Sequence, residues 1–148
     1  MKYLIGKAIY LLGKFRLMIG KMLGISYPPF IIYRCDFPDG KLIGKPAQIG
    51  NFSIIDYGGN VIIGENCKIG YGVFILSAST ISGSVKTQIL RAPIIIGDNV
   101  EIGSNSVILP GVKIGNNSTI GAGAVVTEDI PENSIAAGAP AKVLKKKV

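Results

Sequence analysis

The chain has 148 residues, which is the length of one domain. Its net charge of +7 would indicate a nucleic-acid or membrane partner if the charge covered one face, but nine of the 16 cations lie in residues 1–25 and in the tail from Lys142. The body between the two ends is nearly neutral, so the composition argues against a nucleic-acid-binding face, and each basic end requires its own explanation.

The cysteine and histidine content limits which kinds of functional site the chain can form. Cys35 and Cys67 are too few for a disulfide framework, and we expect both to be reduced thiols in a cytosolic protein. The chain contains no histidine, which removes the usual general base and the usual nitrogen ligand of a metal. We therefore predict no metal site.

Residues 1–25 are predicted to form a basic amphipathic helix. The segments LIGK, LLGK and MIGK recur at a period of seven within residues 1–23, which places Leu4, Leu11 and Met18 on one face and the lysines on another. Lysines interrupt the apolar run too often for a signal peptide or a membrane span. Two interpretations remain open: the helix binds an anionic membrane surface, or it packs on the protein and caps it.

Residues 26–42 connect this helix to the rest of the chain. Pro28 and Pro29 end the helix, the run from Phe30 to Cys35 predicts an entering strand, and Pro38-Asp39-Gly40 is typical of a tight turn.

Residues 43–131 repeat with a period of six. Twelve of the thirteen units open with isoleucine, and the last opens with Val126. The openings are Ile43, Ile49, Ile55, Ile63, Ile69, Ile75, Ile81, Ile96, Ile102, Ile108, Ile114, Ile120 and Val126. Val61 and Ile62 are two extra residues within the series. A fixed short period predicts a solenoid, and six residues suit a short strand followed by a corner.

The fourth residue of most units supports these corners, because Gly, Asn and Asp tolerate a positive φ. It is Gly58, Asn66, Gly72, Asn99, Asn105, Gly111, Asn117, Gly123 or Asp129. Three corners close a triangular coil with the isoleucines inside.

Residues 87–95 belong to no unit and predict a loop excursion, which in solenoids tends to lie on the functional face. Residues 132–148 are predicted to form a final strand and a basic tail.

Three segments identify the chain as similar to a known family. GDNVEIGSNSVILPGVKIG, GAGAVVTEDIP and AAGAPAKVLK resemble the hexapeptide-repeat acyltransferases, and within them the exopolysaccharide and lipopolysaccharide O-acetyltransferases of the colanic acid type. The resemblance implies an all-β, left-handed parallel β-helix, acetyl-CoA as the acyl donor, a homotrimer, and a sugar or glycan acceptor. A cytoplasmic location follows, with the basic helix at the inner face of the membrane if it is an anchor.

The resemblance also implies cofactor-binding residues. In the family the pantetheine arm of CoA lies in a groove between two subunits, and the matching residues here are Gly103, Ser104, Ala122 and Thr127, with Lys142 facing the nucleotide phosphates. The alternative is that the small residues only form corners and that the lysines only form a solvated tail. Two departures place carboxylates near an anionic ligand. Glu101 and Glu128 stand where relatives often carry an aromatic residue and a lysine.

The largest departure concerns the general base. Relatives carry a histidine just before the excursion, followed by aspartate, whereas this chain has Thr80 and Ile81, with Ala78 in the histidine position if the register differs slightly. Thr80 cannot act as a base at neutral pH. Three explanations remain open: the protein is catalytically inactive, it acylates an amine, or another group supplies the base. The candidates for such a group are Asp56, Tyr57, Glu65 and Tyr71.

Overall fold

The structure is a computed structural model, and it describes residues 32–34, 39–44, 46–79 and 89–147. The predicted helix of residues 1–25 and the slot at Thr80 and Ile81 lie outside these residues, as does Cys35. Every regular element among the described residues is a β-strand. No helix long and apolar enough to cross a membrane occurs in the described ranges.

The strands are short because the chain turns a corner after each one. They are β1 (Ile32–Arg34), β2 (Leu42–Ile43), β3 (Gln48–Ile49), β4 (Ile54–Asp56), β5 (Val61–Ile63), β6 (Lys68–Ile69), β7 (Phe74–Leu76), β8 (Ala78–Ser79), β9 (Leu90–Arg91), β10 (Ile94–Ile96), β11 (Glu101–Ile102), β12 (Val107–Ile108), β13 (Lys113–Ile114), β14 (Thr119–Ile120), β15 (Val125–Val126), β16 (Ser134–Gly138) and β17 (Ala141–Lys146).

The strands join three sheets in turn, so the chain winds into a three-sided parallel β-helix. The exceptions are β8 and β9, which pair only with each other, and β17, which pairs with β16. Sheet A has the order β1-β4-β7-β12-β15, sheet B the order β2-β5-β10-β13, and sheet C the order β3-β6-β11-β14-β16-β17. All pairs within these sheets are parallel except β16 with β17. The result fits the predicted left-handed β-helix. Four coils result: 42–60, 61–93, 94–111 and 112–129.

The core is a stack of β-branched side chains from the three sheets. Ile75, Ile108 and Val126 occupy successive coils of sheet A and are fully buried, and sheets B and C contribute equivalent columns. Burying one isoleucine typically stabilises a fold by about 1.5–3 kcal/mol. Buried serines beside the corners satisfy their hydroxyls across coils: Ser106 Oγ donates to the carbonyl of Gly121 at 3.0 Å, and Ser118 Oγ to that of Pro131 at 2.7 Å.

The structure corrects the register at two places. Leu42, rather than Ile43, faces inward: Ile43 is 52% exposed and pairs with Ile62 on the outside, while Leu42 pairs with the buried Val61. The second place is the excursion, which was predicted over residues 87–95. It begins earlier, because β8 already pairs outside the three sheets with β9, and it ends earlier, because Ile94 is buried in β10 and belongs to the β-helix. In both cases pairing with the neighbouring coil decides which residue faces the core.

The corners carry the predicted left-handed backbone at most of the expected positions. Positive φ angles occur at Asn66, Gly72, Asn99, Asn105, Gly111, Asn117 and Gly123. Gly58 and Asp129 were wrongly assigned, because neither has a positive φ. In the corner of Gly58 the left-handed residue is Asn60 (φ 77°), two positions later, where asparagine tolerates the conformation. Asn133 (φ 54°) adds a further left-handed corner, stacked on that of Asn117.

The corners stack into three edges that run along the β-helix. The glycine edge joins sheet C to sheet A and contains residues 50–52, 70–72, 103–105 and 121–123. The loop edge joins sheet A to sheet B and contains residues 56–60, 77–79, 89–92, 109–111 and 127–129. The acidic edge joins sheet B to sheet C and contains residues 64–66, 97–99, 115–117 and 131–133.

Candidate functional site

The glycine edge holds three of the residues predicted to face CoA. Gly103, Ser104 and Ala122 lie on its third and fourth coils, where the Gly123 amide donates to the Ser104 carbonyl at 2.8 Å. Ser104 Oγ in turn accepts a hydrogen bond from the Tyr71 amide at 3.1 Å, one coil earlier. Hydrogen bonds through the backbone and side chain of Ser104 therefore align these residues along one edge.

Gly103 is required by coil stacking. A Cβ at this position would lie 2.4 Å from the Ala122 backbone nitrogen, so only glycine allows the two coils to approach. The open position on this edge is Gly123, whose added Cβ would meet nothing within 4 Å. A role of Gly103 in binding CoA stays a prediction, and the surface beside Gly123 is open.

Thr127 lies on a different edge from the other three. It is exposed and follows β15 at the start of the last corner of the loop edge. The same edge carries the excursion, whose two ends pair as the antiparallel strands β8 and β9. Ala78 lies there in β8, half-buried and paired with Arg91.

Two of the four alternative bases share the loop edge. Asp56 ends β4 directly below Ser77: its carbonyl accepts the Ser77 amide at 3.0 Å, and its Oδ1 accepts the Gly58 amide at 2.9 Å. Tyr57 follows and packs partly against the core. Glu65 lies on the acidic edge and Tyr71 on the glycine edge, so the structure separates them from the excursion within one chain.

Lys142 forms an ion pair with one of the two unexpected carboxylates. Its Nζ lies 3.2 Å from Oε2 of Glu128, and both side chains are largely exposed. The pair brings the predicted phosphate-binding lysine next to Thr127 at the end of the β-helix. Glu128 is thus positioned to compete with an anionic ligand for Lys142.

Glu101 lies on the outer face of sheet C. Its carboxylate is 3.3 Å from Nζ of Lys68, and Thr119 Oγ1 donates to it at 3.5 Å. These residues line a shallow open depression of about 310 Å³ on sheet C. Lys68 therefore compensates the negative charge of Glu101. This pair lies on sheet C, whereas the predicted site lies on the two edges of sheet A.

The outer face of sheet A connects the two edges that hold the predicted site. Ile54, Phe74, Val107 and Val125 pair in register across four coils with their side chains outward. Phe74 is 38% exposed and the other three are half-buried. The corresponding outer column of sheet C is Gln48, Lys68, Glu101 and Thr119, which is polar. Sheet A is therefore suited to a protein contact, in contrast to sheet C.

Sequence reasoning missed Phe52. It has a φ of 65° on the glycine edge, in the corner position that is otherwise occupied by Gly72, Asn105 and Gly123, and its side chain is 69% exposed. A left-handed conformation costs a bulky residue roughly 1–2 kcal/mol. The signal was present in the sequence, since Phe52 is the exception in a column of glycine and asparagine.

Arg91 was also not anticipated. Its Nε donates to the Gly58 carbonyl at 2.9 Å, and its guanidinium pairs with Asp39 at 2.7 Å. The arginine therefore fastens the returning end of the excursion to the first coil. The hydrogen bond from Arg91 also lowers the pKa of the Asp39 carboxyl.

Cys67 is fully buried, and its Sγ donates to the Gly97 carbonyl at 3.0 Å. Burial raises the pKa of this thiol, which keeps it protonated and unreactive. Within the described residues, no group of three or more Cys, Asp or Glu side chains could hold a metal ion.

Two segments of the chain match models of known protein families. Residues 93–128 match the family described as bacterial transferase hexapeptide (six repeats), and residues 42–77 match the hexapeptide repeat of succinyl-transferase. The proposed acetyltransferase YJL218W of Saccharomyces cerevisiae is 42% identical over 135 residues, covering 87% of this chain and 69% of its own.

Two solved structures are similar in fold. A hexapeptide-repeat acetyltransferase of Vibrio cholerae, complexed with acetyl-CoA, has a TM-score of 0.69 at 29% identity, covering 78% of this chain and 65% of its own. A maltose O-acetyltransferase of Clostridium difficile has a TM-score of 0.67 at 31% identity, covering 82% of this chain and 67% of its own. The chain spans about half of other curated relatives, 51% in the case of a serine acetyltransferase of Staphylococcus aureus. The chain belongs to the hexapeptide-repeat acetyltransferase family.

Proposed function

We propose that this protein transfers an acetyl group from acetyl-CoA to a sugar of a surface polysaccharide or a lipid-linked glycan. The alignment of Gly103, Ser104 and Ala122 along one edge, together with the family relationship, carries the proposal. A family structure complexed with acetyl-CoA supports the donor, and a family member that acetylates maltose supports a sugar acceptor.

A homotrimer accounts for the separation of the site residues. If three copies turn the outer face of sheet A toward a common axis, the loop edge of each copy meets the glycine edge of the next. Thr127 and the excursion of one subunit then face Gly103, Ser104 and Ala122 of its neighbour. Turning sheet B inward would instead bring the loop edge against the acidic edge. The outer columns of sheets A and B are both apolar, since Ile43, Ile62 and Ile95 pair on the outside of sheet B. The first arrangement is preferred because it brings Thr127 next to Gly103, Ser104 and Ala122.

The proposed reaction is an acyl transfer. The acceptor oxygen attacks the thioester carbonyl carbon of acetyl-CoA and forms the new C–O bond, the C–S bond breaks, and CoA leaves as its thiol after receiving the proton that the acceptor hydroxyl gives up. A general base normally accelerates removal of that proton. Because the resemblance places Thr80 in the histidine slot, we propose that catalysis is altered or residual.

Asp56 is the alternative base that the geometry of the loop edge favours. It lies on the same edge as the excursion, one coil below Ser77, and is half-buried. An amine acceptor would reduce the need for a base, because its free-base form is already a nucleophile, so that positioning alone would suffice. Asp56→Asn should therefore slow transfer to a hydroxyl more than transfer to an amine.

The decisive experiment measures release of free thiol from acetyl-CoA in the presence of hydroxy sugars and amino sugars. Sugar-dependent release supports the proposed function. The second candidate is a catalytically inactive protein with a structural or binding role, and the absence of the family histidine favours it. Binding of CoA without thiol release from any sugar would support this second candidate.

We further propose a cytoplasmic location, with residues 1–23 contacting the inner face of the membrane. Their repeated lysines support binding to anionic lipid, which salt would screen. The protein should pellet with vesicles of phosphatidylserine and phosphatidylcholine at low salt and be released as salt rises. Unchanged recovery after deletion of residues 1–23 would leave only the capping role.

A further inference from the structure

Phe52 combines backbone strain with exposure. Its φ is 65°, where a bulky residue is rarely found, and 69% of its side chain faces solvent. At this exposure most of the ring surface lies outside the hydrophobic core. Strained residues that persist in a fold often mark functional positions.

A second exposed aromatic ring lies one coil away on the same glycine edge. Tyr71 is 58% exposed, and its corner stacks on that of Phe52 because the Gly72 amide donates to the Asn51 carbonyl at 3.0 Å. Neighbouring strands lie about 4.8 Å apart, which sets the spacing of the two corners. A polar side chain adjoins them: Asn105, in the next coil of the same edge, is exposed, and its Oδ1 lies beside Gly72.

The order of the coils places these rings at one end of the proposed donor groove. Along the glycine edge, Phe52 belongs to the first coil, Tyr71 to the second, Ser104 to the third and Ala122 to the fourth. Lys142, which would face the phosphates, lies beyond the fourth coil. The excursion that contains the Thr80 slot leaves the second coil. Tyr71 is therefore level with the acetyl end of the proposed donor. Phe52 lies one coil beyond it, where an acceptor would bind.

The chemistry of the two rings favours a carbohydrate. A pyranose presents a face of C–H groups, which packs on the electron-rich face of an aromatic ring, while its hydroxyls reach the polar groups beside the rings. A small acyclic acceptor has no such face. We propose that Phe52 and Tyr71 form a stacking platform for a pyranose ring of the acceptor, an assignment that rests on the proposed function and specifies its substrate class.

Because the backbone at Phe52 is strained, one substitution there should change stability and sugar binding in opposite directions. Phe52→Asn introduces the residue type found at Asn105 in the same corner column, so we expect the melting temperature to rise while sugar binding falls. Tyr71→Ala should weaken sugar binding as well, and Tyr71→Phe, which keeps the ring, should retain it. Loss of one aromatic contact is expected to weaken binding about twofold to tenfold.

Binding is measured without relying on turnover, by saturation-transfer NMR with maltose and methyl α-D-glucopyranoside, with L-serine as the acyclic comparison. Saturation of the sugar protons by the unmodified protein and its loss in Phe52→Asn and Tyr71→Ala would support the platform. Equal saturation in all variants, saturation of serine alone, no saturation of the sugars, or a lower melting temperature for Phe52→Asn would overturn it. Acetyl-CoA affinity, measured separately by calorimetry, tests the proposed function, so the two failures remain distinguishable.

Discussion

Lys142 has two potential anionic partners: the Glu128 carboxylate at 3.2 Å and, in the proposed reaction, the phosphates of CoA. An exposed ion pair of this kind contributes about 0–1 kcal/mol to stability. We expect Glu128→Gln to leave the fold intact and to raise CoA affinity by roughly threefold to tenfold at low salt, because one repulsive charge is removed and Lys142 is released. Calorimetric titration with CoA measures this change.

Glu132→Gln is the matched control for that substitution. Glu132 is also exposed and also near the end of the β-helix, but it lies on the acidic edge. Removing its charge should change CoA affinity little. An equal gain from both variants would mean that net charge, rather than the pairing of Lys142, controls binding.

Thr80 carries the second prediction at the residue scale. Thr80→His is expected to raise O-acetyl transfer by about 10²- to 10⁴-fold, the usual contribution of a general base. The double variant with Ile81→Asp should do better, because a neighbouring carboxylate can orient the imidazole and stabilise its charged form. Thiol release in the presence of a sugar measures the gain.

Thr80→Asn serves as the control, since an amide of similar reach cannot accept the proton. CoA affinity is measured for every variant. Intact CoA binding with no gain from either histidine variant would show that Thr80 does not occupy the catalytic slot.

At the scale of a structural element, a column of asparagines joins the coils along the acidic edge. Asn99, Asn117 and Asn133 have φ angles of 55°, 58° and 54°, and their amides form a chain in which each Nδ2 donates to the next Oδ1 at 3.2 Å. Asn117 thus supplies both the left-handed corner and two side-chain hydrogen bonds.

We expect Asn117→Ala to lower the free energy of unfolding by about 1–3 kcal/mol, because alanine in a left-handed conformation adds strain to the lost hydrogen bonds. Asn117→Gly keeps the corner accessible and loses only the side-chain contacts, so it should cost less. Urea denaturation compares the two. Equal losses would show that the amide chain, and not the backbone conformation, is the dominant contribution.

At the scale of the whole molecule, the outer faces of sheets A and B are apolar and that of sheet C is polar. The proposed trimer uses sheet A because only this face joins the loop edge to the glycine edge. Val107→Glu places a charge in the middle of the apolar outer column of sheet A, and we expect it to dissociate the proposed trimer into monomers at micromolar concentration. Light scattering coupled to size-exclusion chromatography measures the molar mass. Thiol release should fall in parallel, since each proposed site combines residues of two copies.

Ile62→Glu on the outer face of sheet B is the matched control. Ile62 is 37% exposed and points outward from β5, so the fold should tolerate the charge. The trimer should survive this change. Dissociation by Ile62→Glu but not by Val107→Glu would place sheet B at the axis and would separate Thr127 from the glycine edge.

The sequence by itself determined the repeating architecture. Isoleucine at every sixth position, followed by glycine or asparagine, specifies strand and corner through local chemistry: β-branched side chains favour extended backbone, and the corner residues accept a positive φ. The buried positions of Ile75, Ile108 and Ile114 and the left-handed corners at Asn99 and Asn117 follow from this rule.

Only the tertiary structure decided how coils of unequal length align. Where the repeat is interrupted, local chemistry allows either Leu42 or Ile43 to face inward, and hydrogen bonding to the neighbouring coil selects Leu42. The repeat alone separates Thr127 from Gly103, because the two residues are four units apart and a coil has three units. Only the structure shows that the two ends of the excursion pair with each other on the edge that carries Thr127. The ion pair of Lys142 with Glu128 likewise depends on the fold, because it joins residues of separate strands at the end of the β-helix. Contacts between distant segments, which a six-residue pattern does not encode, therefore determine which residues can share a site.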